Sequence, residues 1–259
     1  MAITSTVHAS PIRLLVPAYA YPSPATFWDG LVAGAPTVAY MIANASSGPG
    51  TTADPNHTAA IANAQNAGIR VLGYVDTNYN AVAPGTVEAN VDLWFSLYGL
   101  PDIFFDRTSS SLADLAYYTT ICDYVHARAG AQVVLNPGVV PDIGYASIGD
   151  ILVVFEDVEA NYAAFSPPSW VTDGSHPSTQ FCNLVHTTSG DSNLAANFAK
   201  AQSVNSGYVY FTDDVLPNPY DELPTYFARE LSTTPSLSVS ATIRGARRRT
   251  RRLRRRDRR

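Results

Sequence analysis

The chain has 259 residues, 46% hydrophobic and 15% charged, an ordinary balance for a globular domain with a sizeable core, and no apolar run reaches the 18 residues of a membrane span. Its formal net charge of −5 conceals two unlike parts. From Arg244 onward the sequence holds 11 of the 17 basic residues and one Asp, leaving 6 basic against 21 acidic residues over 1–243, a net of −15. An acidic body of this kind argues against nucleic-acid binding by the fold itself.

In chain order, residues 1–11 read as an N-terminal extension. The opening 22 residues show no basic stretch followed by an apolar one, so no secretory leader is expected from them. The first strand signal is "RLLVPAYAY" (13–21), with Tyr19 and Tyr21 at its exit, and the second is "TVAYMIA" (37–43), followed by Asn44. "DPNHTAAIANAQNAG" then has the proline-at-start, glycine-at-end asymmetry of a helix. "RVLGYVDT" (70–77) is a third strand, exiting on Tyr74 and Asp76, and "PGTVEANVDLWFSLYG" a second helix closing on glycine.

The fourth strand, "DIFFDR" (102–107), stops on Asp106, with Arg107 directly after it; the helix "DLAYYTTICDYVHARAG" follows. "QVVLNPG" (132–138) exits on Asn136, "ILVVFED" (151–157) on Glu156, and "QFCNLVHT" (180–187) on His186. The helix "DSNLAANFAKAQSVNSG" leads into "GYVYFTDD" (207–214), which carries Tyr210, Asp213 and Asp214. The two cysteines, Cys122 in a helical pattern and Cys182 in a strand, have the spacing of neither a zinc site nor a redox pair and read as small buried apolar residues.

Runs apolar on both faces suit a buried parallel sheet. Eight of them alternating with helices over a length near 250 residues predict a single-domain (β/α)8 TIM barrel over 12–231. A doubly wound open sheet fits less well, because no glycine-rich phosphate turn occurs. Residues 232–259 turn to Ser, Thr and Pro and then to arginine, a composition expected to be disordered. Such a tail has the charge to contact an anionic polymer, nucleic acid or lipid headgroups; the alternative is an appendage without a partner.

In a barrel the chemistry sits where the strands exit, and here that rim gathers carboxylates, amides and tyrosines. Asp106 shares strand parity with Phe104, and Glu156 with Val154 and Leu152, so both acids project over the core if those sides face the axis. Two such carboxyls can divide their duties, one ionised and one desolvated and protonated, as glycoside hydrolysis requires. Each could equally cap the helix that follows. Asp76, Asn136 and the tyrosines Tyr21, Tyr74 and Tyr210 are candidate substrate contacts, offering hydrogen bonds and ring faces for a sugar. No GxSxG elbow, HExxH, P-loop or dinucleotide fingerprint is present, and neither cofactor nor metal is expected. An all-oxygen site of Asp76, Asp106 and Asp213 stays open at this level.

Taken as an ordered set, "LLVPAYAYPSPATFWDGL", "NASSGPG", "DPNHTAAI", "RVLGYVDTNY", "IFFD", "VVLNPGVVPD" and "ILVVFED", with "GYVYFTDD" and "NPYDELP" near the end, resemble the spherulin-4 family. The resemblance implies a (β/α)8 glycoside hydrolase that cuts α-1,4-linked galactosamine or N-acetylgalactosamine polymers of secreted biofilm matrix. It implies an extracellular or cell-surface setting, and Asp106 and Glu156 as the catalytic acids; a monomer is expected. Glu156, reached through apolar "LVVF", is assigned as general acid/base and Asp106 as nucleophile or charge stabiliser. Assistance by a substrate acetamido group and a non-catalytic polysaccharide-binding or coat protein are the alternatives. Arg107 departs from the family's second acid at that position. If it reaches the cleft it would lower the pKa of Asp106, repel a cationic sugar, and so redirect or abolish activity.

Overall fold

The computed structural model describes residues 7–233 and 236–239. Eight strands close into a parallel barrel in sequence order: β2 (Arg13–Ala18), β3 (Val38–Ala43), β4 (Arg70–Asp76), β5 (Ile103–Asp106), β6 (Val133–Leu135), β7 (Ile151–Val158), β8 (Phe181–His186) and β9 (Tyr208–Phe211). The ring closes where Arg13 and Leu14 pair with Tyr208 and Val209. All eight predicted strands are present; seven are shorter than predicted by one or more residues, and β7 runs one residue longer. The fold is the predicted TIM barrel, in one domain.

The reason for the continuous apolar runs is visible in β3, where all six residues are buried because helices cover the outer face and side chains fill the inner one. The crossovers begin with α1 (Thr26–Ala33), α2 (Pro55–Asn66), α3 (Pro84–Tyr98) and α4 (Leu115–His126). In α2 the proline sits in the first turn and the Asp54 side chain accepts the His57 N–H. α3 starts on Pro84 and stops at Gly99, whose φ of 68° is the left-handed stop that glycine supplies. Between β6 and β7 there is only a 3-10 turn, Ile143–Ser147, and between β7 and β8 the single turns α5 (Glu159–Tyr162) and α6 (Ser169–Thr172). α7 (Asp191–Ser203) and α8 (Phe227–Thr233) complete the outer layer. Cys122 and Cys182 are both free and buried.

Outside the barrel, β1 (Val7–Pro11) pairs antiparallel with β10 (Ser236–Val239). The segment expected to be disordered from 232 therefore starts with the end of α8 and a short strand. The arginine-rich stretch lies outside the described residues.

One glycine holds the site's support in place. At Gly73 in β4 a Cβ would lie 2.5 Å from the indole of Trp94, which is fully buried and donates its Nε1–H to the Tyr74 carbonyl at 2.8 Å. Gly73→Ala must displace that ring, and overpacking of this kind costs about 1–3 kcal/mol. Chemical denaturation should report a loss of that size, with a lower midpoint and an unchanged slope.

Candidate active site

Asp106 ends β5 and lines the mouth of the barrel together with Phe104, as its parity requires. On β7 the ring of Phe155 packs against Tyr162 and Phe165, both at 4.9 Å between centroids, and the next residue, Glu156, lines the mouth beside its register partner Leu184. The two acids thus come from different strands to one cavity of about 630 Å3, within the size range of small-molecule sites.

Between them lies Asn136, just past the end of β6. Its Nδ2 donates to Asp106 Oδ1 at 2.8 Å and to Glu156 Oε2 at 2.6 Å. The orientation of that amide is set by the turn that follows: Gly138 N–H donates to Asn136 Oδ1 at 3.0 Å, and the Gly138 carbonyl accepts Glu156 N–H at 2.9 Å. Gly138 has φ 67°, so "NPG" forms a turn whose third residue favours glycine. With its oxygen engaged, the amide can turn only its N–H groups toward the acids. The two bridged oxygens are no more than about 5.4 Å apart, the sum of the two bond lengths.

Each acid has a second, tyrosyl partner. Tyr74 donates its hydroxyl to Asp106 Oδ2 at 2.8 Å and Tyr220 to Glu156 Oε1 at 2.7 Å. Tyr19 sets its ring edge-on to both of those tyrosines, at 5.7 and 5.8 Å. Burial raises the pKa of Asp106; Tyr74, the Arg107 backbone N–H and Asn136 oppose it by bonding the carboxylate, while the charge of Asp76 adds to the rise. Burial also raises Glu156, the Asp106 charge raises it further, and only Asn136 and Tyr220 oppose. Each acid thus accepts two side-chain hydrogen bonds, and the pair is raised by burial, with the Asp106 charge adding to the rise at Glu156 and the Asp76 charge to that at Asp106. His186, which also lines the cavity, is buried and its imidazole is held below the usual range by that burial, with Asp157 opposing.

Arg107 does not enter the acid pair. Its guanidinium binds both carboxylate oxygens of Asp76, with Nε at 2.9 Å from Oδ1, and lies over the ring of Tyr79 at the cleft's edge. Its own backbone is left-handed, φ 48°. The expectation that Arg107, on reaching the cleft, lowers the pKa of Asp106 is corrected: Arg107 lines the cleft, but its guanidinium is bound by Asp76, and burial leaves Asp106 raised.

Of the predicted site residues the fold brings together Asp106, Glu156, Asn136 and, behind Asp106, Tyr74. Three others lie elsewhere. Tyr210 is fully buried in the barrel and packs against Tyr220, so its ring cannot reach a ligand in the cleft. Tyr21 is half exposed but bonds Asp54 and Asn56 beside His57, on a different part of the surface. Asp76 pairs with Arg107 and accepts the Asn78 N–H instead of facing the cavity. Asp213 is held by Thr225, and among the described residues no three His, Cys, Asp or Glu side chains converge on one point. Asp76, Asp106 and Asp213 therefore do not form a common oxygen site.

Sequence reasoning missed Tyr220 and Tyr79. Tyr220 comes from the long connection after β9, within "NPYDELP", where no strand or helix periodicity marks it. The signal available was the aromatic in a motif otherwise made of turn residues.

A profile of spherulation-specific family 4 matches residues 13–234. Spherulin-4 of Physarum polycephalum is 34% identical over 252 residues, covering 91% of this chain and 74% of that one. Among solved structures, Aspergillus clavatus Sph3 in complex with GalNAc superposes with a TM-score of 0.74 at 24% identity, over 86% of this chain and 97% of the other. A GH18 chitinase from Pseudoalteromonas aurantia follows at 0.52 and 11% identity, over 76% and 93% of the two chains. At these identities the two solved structures share the barrel fold, a glycoside-hydrolase-like one.

Proposed function

We propose, for a chain that belongs to spherulation-specific family 4, a glycosidase that hydrolyses an α-1,4-linked galactosamine or N-acetylgalactosamine polysaccharide by a two-carboxylate mechanism. The observation that carries this reading is the single amide of Asn136 bonded to both Asp106 and Glu156 in one cleft. It holds the acids close and leaves their other oxygens to tyrosines.

In the first step Glu156 gives its proton to the leaving glycosidic oxygen while an Asp106 oxygen bonds to the anomeric carbon and the glycosidic bond breaks. In the second, Glu156, now a carboxylate, takes a proton from water; the water oxygen displaces Asp106 from the anomeric carbon, and both acids return to their starting states. Retaining glycosidases place their carboxyls about 5–5.5 Å apart and inverting ones about 6.5–9.5 Å; the retaining course is proposed here because a single amide bridges the two acids, holding one oxygen of each within about 5.4 Å of the other. An extracellular or cell-surface setting, implied by the family resemblance, is proposed for this chain.

Release of reducing ends from the polymer tests the reading. Activity in the unaltered protein that vanishes in both Asp106→Asn and Glu156→Gln is the expected result. Polymer binding without release would instead support a non-catalytic coat or polysaccharide-binding protein.

A further inference from the structure

Beside the acid pair the fold maintains Tyr79 at visible expense. Asn78, Tyr79 and Asn80 all have left-handed backbones, with φ 44°, 55° and 76°. Asparagine tolerates that region; tyrosine does not, because its Cβ crowds the following carbonyl. Tyr79 is nevertheless held there by a network of short bonds. Its N–H donates to the Arg107 carbonyl at 2.7 Å, Asn78 N–H donates to Asp76 Oδ1 at 2.7 Å, and Asn80 Nδ2 donates to Asp114 Oδ1 at 2.9 Å. Thr77 adds hydroxyl bonds to the Asp106 and Arg107 carbonyls, both at 3.0 Å, which ties the turn to the backbone of the catalytic acid.

The strained turn gains no burial from this. Tyr79 is 60% exposed, lines the cleft, and has the Arg107 guanidinium 6.0 Å from its ring centroid. Arg107 is in turn locked by its two bonds to Asp76. Strain sustained for an exposed aromatic at the edge of a cleft is a mark of a binding role, and an aromatic face is the surface on which the C–H face of a sugar ring packs.

We propose that Tyr79, backed by Arg107 and positioned by Asp76, is the stacking platform of a second sugar subsite adjoining the acid pair, so that the cleft takes a chain of linked sugars. The inference rests on the glycan-cleaving reading above and adds to it a chain-binding residue and two positioning residues.

Calorimetric titration in a Glu156→Gln background tests it, using N-acetylgalactosamine and an α-1,4-linked N-acetylgalactosamine tetrasaccharide as probes. Tyr79→Ala should weaken the tetrasaccharide about tenfold and the monosaccharide less than twofold; Tyr79→Phe should restore the tetrasaccharide affinity. Arg107→Ala should weaken the tetrasaccharide by a smaller factor. Tyr79→Gly, which relieves the left-handed strain, should lose the same affinity while its thermal midpoint stays the same or rises, so the loss cannot be ascribed to unfolding. Equal losses for both probes, or no loss for either, would overturn the subsite while leaving the glycosidase reading intact. If neither sugar binds the parent protein, the glycan reading falls and the subsite with it.

Discussion

Glu156→Gln should reduce turnover of the polymer by about 10²–10⁴-fold, the contribution of a positioned general acid, with polymer binding retained. The amide is nearly isosteric and still meets Tyr220, so a folding defect is not expected to account for the loss. The pH profile carries the diagnostic part. Because burial and the neighbouring Asp106 charge hold the Glu156 pKa up, its proton survives above the ordinary glutamate range, and the alkaline limb of kcat/KM belongs to Glu156. That limb should disappear from the residual activity of Glu156→Gln. Asp106→Asn should be at least as damaging, but the alkaline limb should survive in whatever activity is left. Rate measurements from pH 4 to 9 on all three proteins check this. Equal activity in the Gln variant and the parent would remove Glu156 from the mechanism.

Asn136→Ala is the second large effect, and it reads on stability as well as rate. The substitution removes a donor from each of two buried carboxyls at once and leaves them facing one another. Hydrogen bonds to charged groups contribute about 1.5–3 kcal/mol each, and the loss should fall within that order, about 2–4 kcal/mol at pH 8. The loss should shrink toward pH 5, and the direction follows from counting protons. Asp106 and Glu156 have folded pKa values already raised above their unfolded ones, and losing the shared donor raises them further. The folded variant therefore binds more protons than its unfolded chain. Its stability is greatest below the unfolded carboxylate range and declines as pH rises toward the folded values. Urea midpoints of parent and variant at pH 5 and pH 8 give the comparison; a gap that widens toward acid would contradict the shared-donor account.

The barrel itself was legible because its strands are apolar on both faces and its helices carry their start and stop residues. "DPNH" and "FSLYG" mark the ends of α2 and α3 without reference to anything distant. The acids were legible too, since a carboxylate ending "IFF" or "LVVF" is a local anomaly in the pattern. Tyr74 and Asn136 were found as strand exits, although their bonding to the acids was not foreseeable. What the pattern could not supply was the direction of side chains at the very ends of strands. Asp76 and Asp106 are register partners on neighbouring strands, yet the left-handed backbone of Arg107 turns its guanidinium onto Asp76 and takes that acid out of the cleft. Tyr210 failed for a different reason: it lies within β9, not beyond it, and strand interiors are packed. Tyr220 lies in irregular backbone, where partners are set by tertiary position alone.

Arg107 illustrates how a neighbour in sequence can mislead. Directly after Asp106 it reads as an ion-pair partner for the catalytic acid, and so as a threat to catalysis. In the fold its charge is neutralised by Asp76 and its guanidinium backs the Tyr79 ring. The cleft therefore keeps two unpaired acids and gains a rigid edge.

The most direct test of the paired-acid mechanism is the anomeric form of the first product. Proton NMR of a defined α-1,4-linked N-acetylgalactosamine oligosaccharide, followed from the start of hydrolysis, should show the α anomer at the new reducing end before mutarotation sets in. A first product in the β form would contradict a nucleophilic Asp106 beside Glu156, and absence of any hydrolysis would contradict the enzymatic reading altogether.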